Sequence, residues 1–171
     1  RQRQMCIRDR GGSIVCYTQK LSGKHKIRAS VKELINLEEQ YQLHIPETIK
    51  SMFNRLQDVK VELISFISKI KLQGKTISGF GAARAGTTLL SFYEIGNYLD
   101  YLFDDNETKH GKYSPGDNIK VLPTSQIYNK KPDYLLILAW LHADKIITSH
   151  KKYLNNNKFI RIFPEFKIVS N

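Results

Sequence analysis

The sequence predicts an α/β fold: a parallel sheet with flanking helices, preceded by a helical connector. Three observations support this prediction. From Lys75 onward, short apolar runs alternate with segments of helical spacing, as in a parallel sheet with crossover helices. Residues 133–138 are apolar on both faces, which is typical of a central parallel strand. A glycine-rich bend joins the first strand to the next helix, so the predicted sheet is Rossmann-like.

Residues 1–10, RQRQMCIRDR, show neither a strand nor a helix period. We interpret them as a non-native leader and expect the natural protein to begin further upstream. Gly11-Gly12-Ser13 then precedes a β-branched run at 14–18, so residues 11–20 are predicted to hold a turn and a short strand. A lone strand needs a sheet to pair with.

Residues 21–74 are predicted to form the helical connector. Ser30 and Glu33 have the spacing of a capping box, with Ser30 as the N-cap. Pro46 suits the first turn of a second helix, and apolar residues recur at helical spacing from Ile49 to Ile70. Gly74 is a natural stop for that helix.

Residues 75–171 are predicted to form the Rossmann-like domain, because the apolar period changes there. Helices are expected at 87–93 and 143–154. Strands are expected at 75–80, 99–104, 118–122, 133–138 and 158–163, with a further one at 166–169.

Composition excludes several classes of protein. The net charge is +11, but basic residues are spread along the chain and none of their runs is interleaved with aromatic residues, so we expect no nucleic-acid partner. No apolar run approaches the ~20 residues of a membrane span, and no secretory signal is present, which predicts a cytoplasmic protein. Cys6 and Cys16 lie apart from any histidine at metal-ligand spacing, which argues against a zinc site in this chain.

The glycine bend, defined as residues 79–88, is the first candidate site. Glycine permits a tight turn and close approach of a ligand, and unpaired N–H groups at a helix start attract anions. Arg84 offers a bidentate clamp for phosphate. The alternative is a tight turn that binds nothing. The candidate residues are Gly79, Gly81, Ala82, Ala83, Arg84, Gly86, Thr87 and Thr88.

Two further segments follow predicted strands. Asp104, Asp105 and Asn106 stand ~20 residues beyond the bend, where such folds place a ribose-binding acid. The alternative is an Asx turn, since these residue types favour turns. Lys109 opens a basic loop that either closes over a phosphate or is a plain surface loop, and His110 in it is expected to be solvated.

Trp140 and His142 follow the central strand, and ligands of open α/β sheets bind beyond the carboxyl ends of strands. Trp140 suits stacking on a base or sugar, and His142 suits a hydrogen bond to it. The alternative for Trp140 is a packing role.

The strings GFGAARAGTTLL, DYLFDDNETKHGKYSPG and PDYLLILAW, followed by Phe163-Pro164-Glu165, resemble in order the C-terminal domain of nucleotide-sugar C-methyltransferases. The resemblance covers residues 11–169. It implies transfer of a methyl group from S-adenosylmethionine to a carbon beside a keto group of a nucleotide-linked sugar. It also implies that 11–20 are the end of a methyl-donor domain, that the donor site, the base and any zinc lie outside this chain, and that the fragment alone is inactive.

The resemblance implies that the diphosphate is faced by Gly81, Ala82, Ala83, Arg84, Gly86 and Thr87, and that Asp104, Asp105, Asn106 and Lys109 line the site. Two positions depart from the family: Ala85 stands where a lysine is frequent, and Leu141-His142 stand where Asn-Phe is frequent. The resemblance implies that the acceptor is a nucleotide sugar or a related small anionic molecule, and the two departures predict that it differs from the usual deoxysugar. Two alternatives remain, a dinucleotide-binding module of an oxidoreductase and a non-catalytic basic interaction domain. The sequence leaves the oligomeric state unknown.

Overall fold

The computed structural model describes residues 17–163 and 165–170. They fall into two compact units, the first ending at Leu56 and the second beginning at Gln57. Most of the predicted strand at 14–18, both cysteines and the predicted leader lie outside the described residues. The proposed domain limits therefore remain predictions.

The first unit contains helix α1, Ala29–Gln40, and the start of helix α2, Pro46–Leu72. The predicted capping box at Ser30 is wrong. The helix begins at Ala29, two residues before the predicted start, its N-cap is Arg28, and no side chain caps it. Ser30 thus lies inside the first turn, where its own backbone is helical. No residue of α1 is buried, and its apolar residues Val31, Ile35 and Leu37 are exposed within this unit's described part.

The second unit contains the remainder of α2, three further α-helices and six strands. The helices are α3, Arg84–Tyr93; α4, Ile127–Lys130; and α5, Ala143–Ser149, with short 3-10 turns between elements. The strands are β1, Ile77–Phe80; β2, Leu102–Asp104; β3, Val121–Pro123; β4, Tyr134–Ile137; β5, Lys158–Arg161; and β6, Lys167–Val169.

The six strands form one sheet in the order β3-β2-β1-β4-β5-β6. Strands β1 to β5 pair in parallel, which confirms the predicted Rossmann-like α/β fold. Strand β6 pairs antiparallel with β5, so the sheet is mixed at this edge. The chain between Arg161 and Lys167 is too short for the crossover that a parallel pair requires.

Apolar clusters cover both faces of the sheet. On one face Leu63, Ile67 and Ile70 of α2 join residues of α3 and the strands. On the other, residues of α4 and α5 pack against side chains that include Phe103 and Phe159. Burial of an aliphatic or aromatic side chain contributes about 1.5–3 kcal/mol, so these clusters are the main source of the unit's stability.

Helix α3 begins at Arg84, three residues before the predicted start. Gly86 therefore lies within the first turn, where a Cβ atom would come within 2.8 Å of the Gly81 carbonyl oxygen. Because glycine lacks that atom, the helix runs close over the bend. Residues 150–155 also depart from the prediction: α5 ends at Ser149, and the stretch Lys151–Asn155 is a 3-10 helix.

None of the helices in the described part of the chain has the length and apolar character that crossing a bilayer requires. Within residues 17–163 and 165–170, no three His, Cys, Asp or Glu side chains are grouped to hold a metal ion.

Candidate functional site

The candidate site lies at the carboxyl ends of β1 and β4, which are adjacent in the sheet. After β1 the chain enters α3, whose Leu90 and Tyr93 pack on one face. After β4 it enters α5, whose Ala143 and Ile146 pack on the other face. Connections that leave in opposite directions open a crevice between them, and ligands of this sheet class bind in that crevice.

Glycine is required at the start of the bend. Gly81 has φ +104°, a conformation that other residues rarely adopt. A Cβ atom on Gly81 would lie 2.8 Å from the Cβ of Ala139, just after β4. The Gly81 N–H donates to the Phe103 carbonyl at 2.7 Å. Gly79 lies earlier, inside β1, where a Cβ would meet the side chains of Leu102 and Leu138, so its small size serves packing.

The N-terminus of α3 presents four backbone N–H groups, that of the N-cap Ala83 and those of Arg84, Ala85 and Gly86, here named the amide cradle. None of them donates to an acceptor in the described part of the chain, and Ala83, the N-cap, has no side chain that can cap. The first intrahelical bond runs from Thr87 N–H to the Ala83 carbonyl at 3.1 Å. Unpaired amides and the helix dipole together favour an anion at this position.

The side chains around the amide cradle are open to solvent. Ala83, Arg84 and Ala85 are exposed, so no packed side chain covers the cradle. Thr88 Oγ1 donates to the Arg84 carbonyl at 3.1 Å, and Thr87 Oγ1 lies 3.5 Å from the Ala83 carbonyl. Both hydroxyls therefore bond within the helix, which leaves Arg84 as the side chain best suited to an anion.

Asp104, the last residue of β2, is buried and bonded within the chain. Its Oδ2 accepts from Ala82 N–H at 2.7 Å and from Lys109 Nζ at 3.0 Å, and its Oδ1 accepts from Asn106 N–H at 2.8 Å. Burial opposes ionisation, but the two backbone N–H donors and the Lys109 ammonium outweigh it and hold the pKa of Asp104 below its usual value. The carboxylate is thus ionised at neutral pH.

Asp105 and Asn106 form a turn after β2. Asp105 is exposed and accepts a hydrogen bond from Thr124 Oγ1. Asn106 caps the 3-10 turn Glu107–Lys109, because its Oδ1 accepts from Thr108 N–H at 3.0 Å. These contacts are those of the Asx-turn alternative, and a ligand role for the two residues remains a prediction.

Trp140 and His142 lie in a 3-10 turn directly after β4, at the same edge of the sheet as the bend. The Trp140 ring is half-buried and packs edge-on against Phe163, with ring centroids 5.3 Å apart. Trp140 therefore has the packing role that was the alternative, and its stacking on a ligand remains a prediction. His142 is exposed.

Tyr128 and His150 were not singled out from the sequence. Tyr128 Oη and His150 Nδ1 are 3.0 Å apart, and the His150 ring lies 5.4 Å from that of Phe80, the last residue of β1. Burial lowers the pKa of His150, partly offset by Asp105. The two residues are 22 positions apart and share no motif, so no sequence signal pointed to the pair.

Comparison with known proteins agrees with the resemblance. The family described as C-methyltransferase C-terminal domain matches residues 8–164. C-methyltransferase NovU from Streptomyces niveus is 30% identical over 162 residues, which cover 94% of this chain and 39% of NovU. The chain thus spans about two fifths of that relative's length. A solved structure, UDP-D-quinovosamine 4-dehydrogenase from Vibrio fischeri, aligns with a TM-score of 0.42 and 19% identity, covering 56% of this chain and 93% of that one.

The family match extends over most of the chain and includes the bend, the acidic turn after β2 and the segment after β4. The chain therefore belongs to the family of C-methyltransferase C-terminal domains.

Proposed function

We propose that this chain is the acceptor-binding portion of an S-adenosylmethionine-dependent C-methyltransferase. Its acceptor is a keto-sugar carried on a nucleoside diphosphate, or a small anionic molecule of similar chemistry. A cytoplasmic location, expected from the sequence, belongs to the same proposal.

The amide cradle is the observation that carries the proposal. Four N–H groups without an acceptor in the described part of the chain and the exposed Arg84 lie where the crevice opens, which suits a diphosphate. S-adenosylmethionine carries a sulfonium, an ammonium and a single carboxylate, so it is cationic overall, whereas a diphosphate is multiply anionic. A cradle of N–H donors beside a guanidinium therefore suits the acceptor better than the donor. We therefore assign the cradle to the acceptor.

The chemistry of the reaction limits what this chain has to do. S-adenosylmethionine supplies the methyl group when bound: its sulfur–carbon bond breaks as the new carbon–carbon bond forms, and the acceptor carbon loses a proton to a base. In the proposal, the cradle and Arg84 hold the diphosphate, which keeps the sugar oriented for the donor. We assign no residue of this chain as the base.

Binding of simple diphosphates tests the proposal. The 171-residue chain is titrated with UDP and with pyrophosphate by calorimetry, using the native chain, Arg84→Ala and the control Arg55→Ala, which removes an exposed arginine of the other unit. Because a hydrogen bond to a charged group contributes about 1.5–3 kcal/mol, Arg84→Ala is expected to weaken binding roughly tenfold or more, and Arg55→Ala to leave it unchanged. If neither UDP nor pyrophosphate binds the native chain, or if the two variants change the affinity equally, the proposal is contradicted.

A dinucleotide-binding module is the second candidate, and the strand order favours it because NAD-binding folds share that order. In those folds a free acid after β2 accepts from ribose hydroxyls. The Asp104 carboxylate instead has donors from within the chain on both oxygens. Titration with NAD separates the two candidates: binding tighter than that of UDP supports the dinucleotide module.

A further inference from the structure

We infer that Asp104 is a positioning residue, which holds the glycine bend in the shape that presents the amide cradle and does not itself touch the acceptor. The inference rests on the proposed function and assigns Asp104 a role different from direct ligand binding.

The first argument is that both carboxylate oxygens of Asp104 already accept hydrogen bonds from within the chain. The residue is 8% exposed, and its two carboxylate oxygens accept three hydrogen bonds from Ala82, Asn106 and Lys109. The neighbouring His110 ring adds a contact, because its Nε2 lies 2.7 Å from the Asp104 carbonyl oxygen. A carboxylate that binds a sugar hydroxyl needs an oxygen facing the crevice, and rotation towards a ligand here breaks bonds to two backbone segments.

The second argument is the position of the bonds along the bend. Gly81 N–H donates to the carbonyl of Phe103, and Ala82 N–H donates to the carboxylate of the next residue of β2, Asp104. Two consecutive amides of the bend are thus tied to the end of β2. The unpaired amides begin at Ala83, immediately after these two bonds, so Asp104 sets where the cradle starts.

The third argument is charge. Asp104 is bonded to Ala82, the residue before the amide cradle, so an unpaired carboxylate there would repel an anion bound in the cradle. Lys109 Nζ lies 3.0 Å from Asp104 Oδ2, in a pair whose carboxylate side chain is only 10% exposed. The ammonium offsets the negative charge and lets the carboxylate anchor the bend without opposing a diphosphate.

Two ligands distinguish positioning from contact in the variant Asp104→Asn. A positioning residue acts through the bend, so affinities for UDP and for pyrophosphate are expected to fall by the same factor, roughly tenfold. Loss of UDP affinity with unchanged pyrophosphate affinity places Asp104 on the nucleoside and overturns the inference. Asp100→Asn is the matched control, because Asp100 is exposed and its nearest cation, Lys71, is 3.6 Å away.

Amide hydrogen exchange of the native 171-residue chain, followed by NMR, tests the inference without a variant. The Ala82 amide is expected to exchange at least about tenfold more slowly than the amides of Arg84, Ala85 and Gly86, which have no acceptor among the described residues. Equal exchange at Ala82 and Arg84 overturns the inference. If neither UDP nor pyrophosphate binds the native chain, the proposed function fails, while the exchange pattern still decides whether Asp104 holds the bend.

Discussion

Gly81→Ala tests whether the glycine bend needs a residue without a side chain. Two costs are expected. The backbone angle of +104° costs an L-residue about 1–2 kcal/mol. The new methyl group also lies 2.8 Å from the Ala139 Cβ and 3.0 Å from its backbone nitrogen, and overpacking of this kind costs about 1–3 kcal/mol. The free energy of unfolding should therefore fall by about 2–5 kcal/mol.

Gly111→Ala is a matched control for this substitution. Gly111 also has a positive φ, +75°, but a Cβ atom there meets nothing within 4 Å. Only the backbone cost applies, about 1–2 kcal/mol. Both variants are compared with the native chain by urea denaturation at 25 °C, and UDP titration then follows under conditions where each is folded. Equal destabilisation by the two variants refutes the argument that Ala139 confines the bend.

Three other substitutions have expected outcomes that urea denaturation can check. Burial opposes ionisation of Asp133, but bonds from the Thr76 backbone N–H, Lys75 and the Thr76 hydroxyl lower its pKa to about 2. Because the pKa of Asp133 is lower in the folded state, its carboxylate stabilises the fold at pH values above its usual pKa, and this stabilisation is lost as the pH falls towards 2. Asp133→Asn should therefore lower the free energy of unfolding by about 1–2 kcal/mol at pH 7, after discounting for partial exposure, and by little at pH 2. A cost independent of pH contradicts this. The Tyr93 hydroxyl is buried without a hydrogen-bond partner in the described part of the chain, and burial raises its pKa, so Tyr93→Phe should stabilise by up to about 1 kcal/mol. Ser78 Oγ is also buried without a partner there, so Ser78→Ala should change stability by less than about 1 kcal/mol, and a larger loss points to a missing bond.

Local patterns in the sequence are enough to predict the fold class and the bend. An apolar run such as 133–138 has few alternatives to a buried strand, and a glycine between a strand and a helix indicates a tight turn whatever lies around it. Element limits are less well determined, because neighbours decide them. Helix α3 extends back to Arg84 because Gly86 has no Cβ atom, so its backbone can pack against the Gly81 carbonyl.

The roles of the site residues depend on contacts between distant segments. An acid after a strand looks the same in the sequence whether it faces a ligand or, as Asp104 does, accepts from an amide 22 positions earlier. The Tyr128–His150 contact has no sequence signature for the same reason. The sequence by itself determined the approximate positions of the strands, of the helices other than α4, and of the glycine bend, since these follow from the residues' own preferences. Only the tertiary structure decided which polar groups are bonded within the chain and which, like the amides of the cradle, have no acceptor among the described residues.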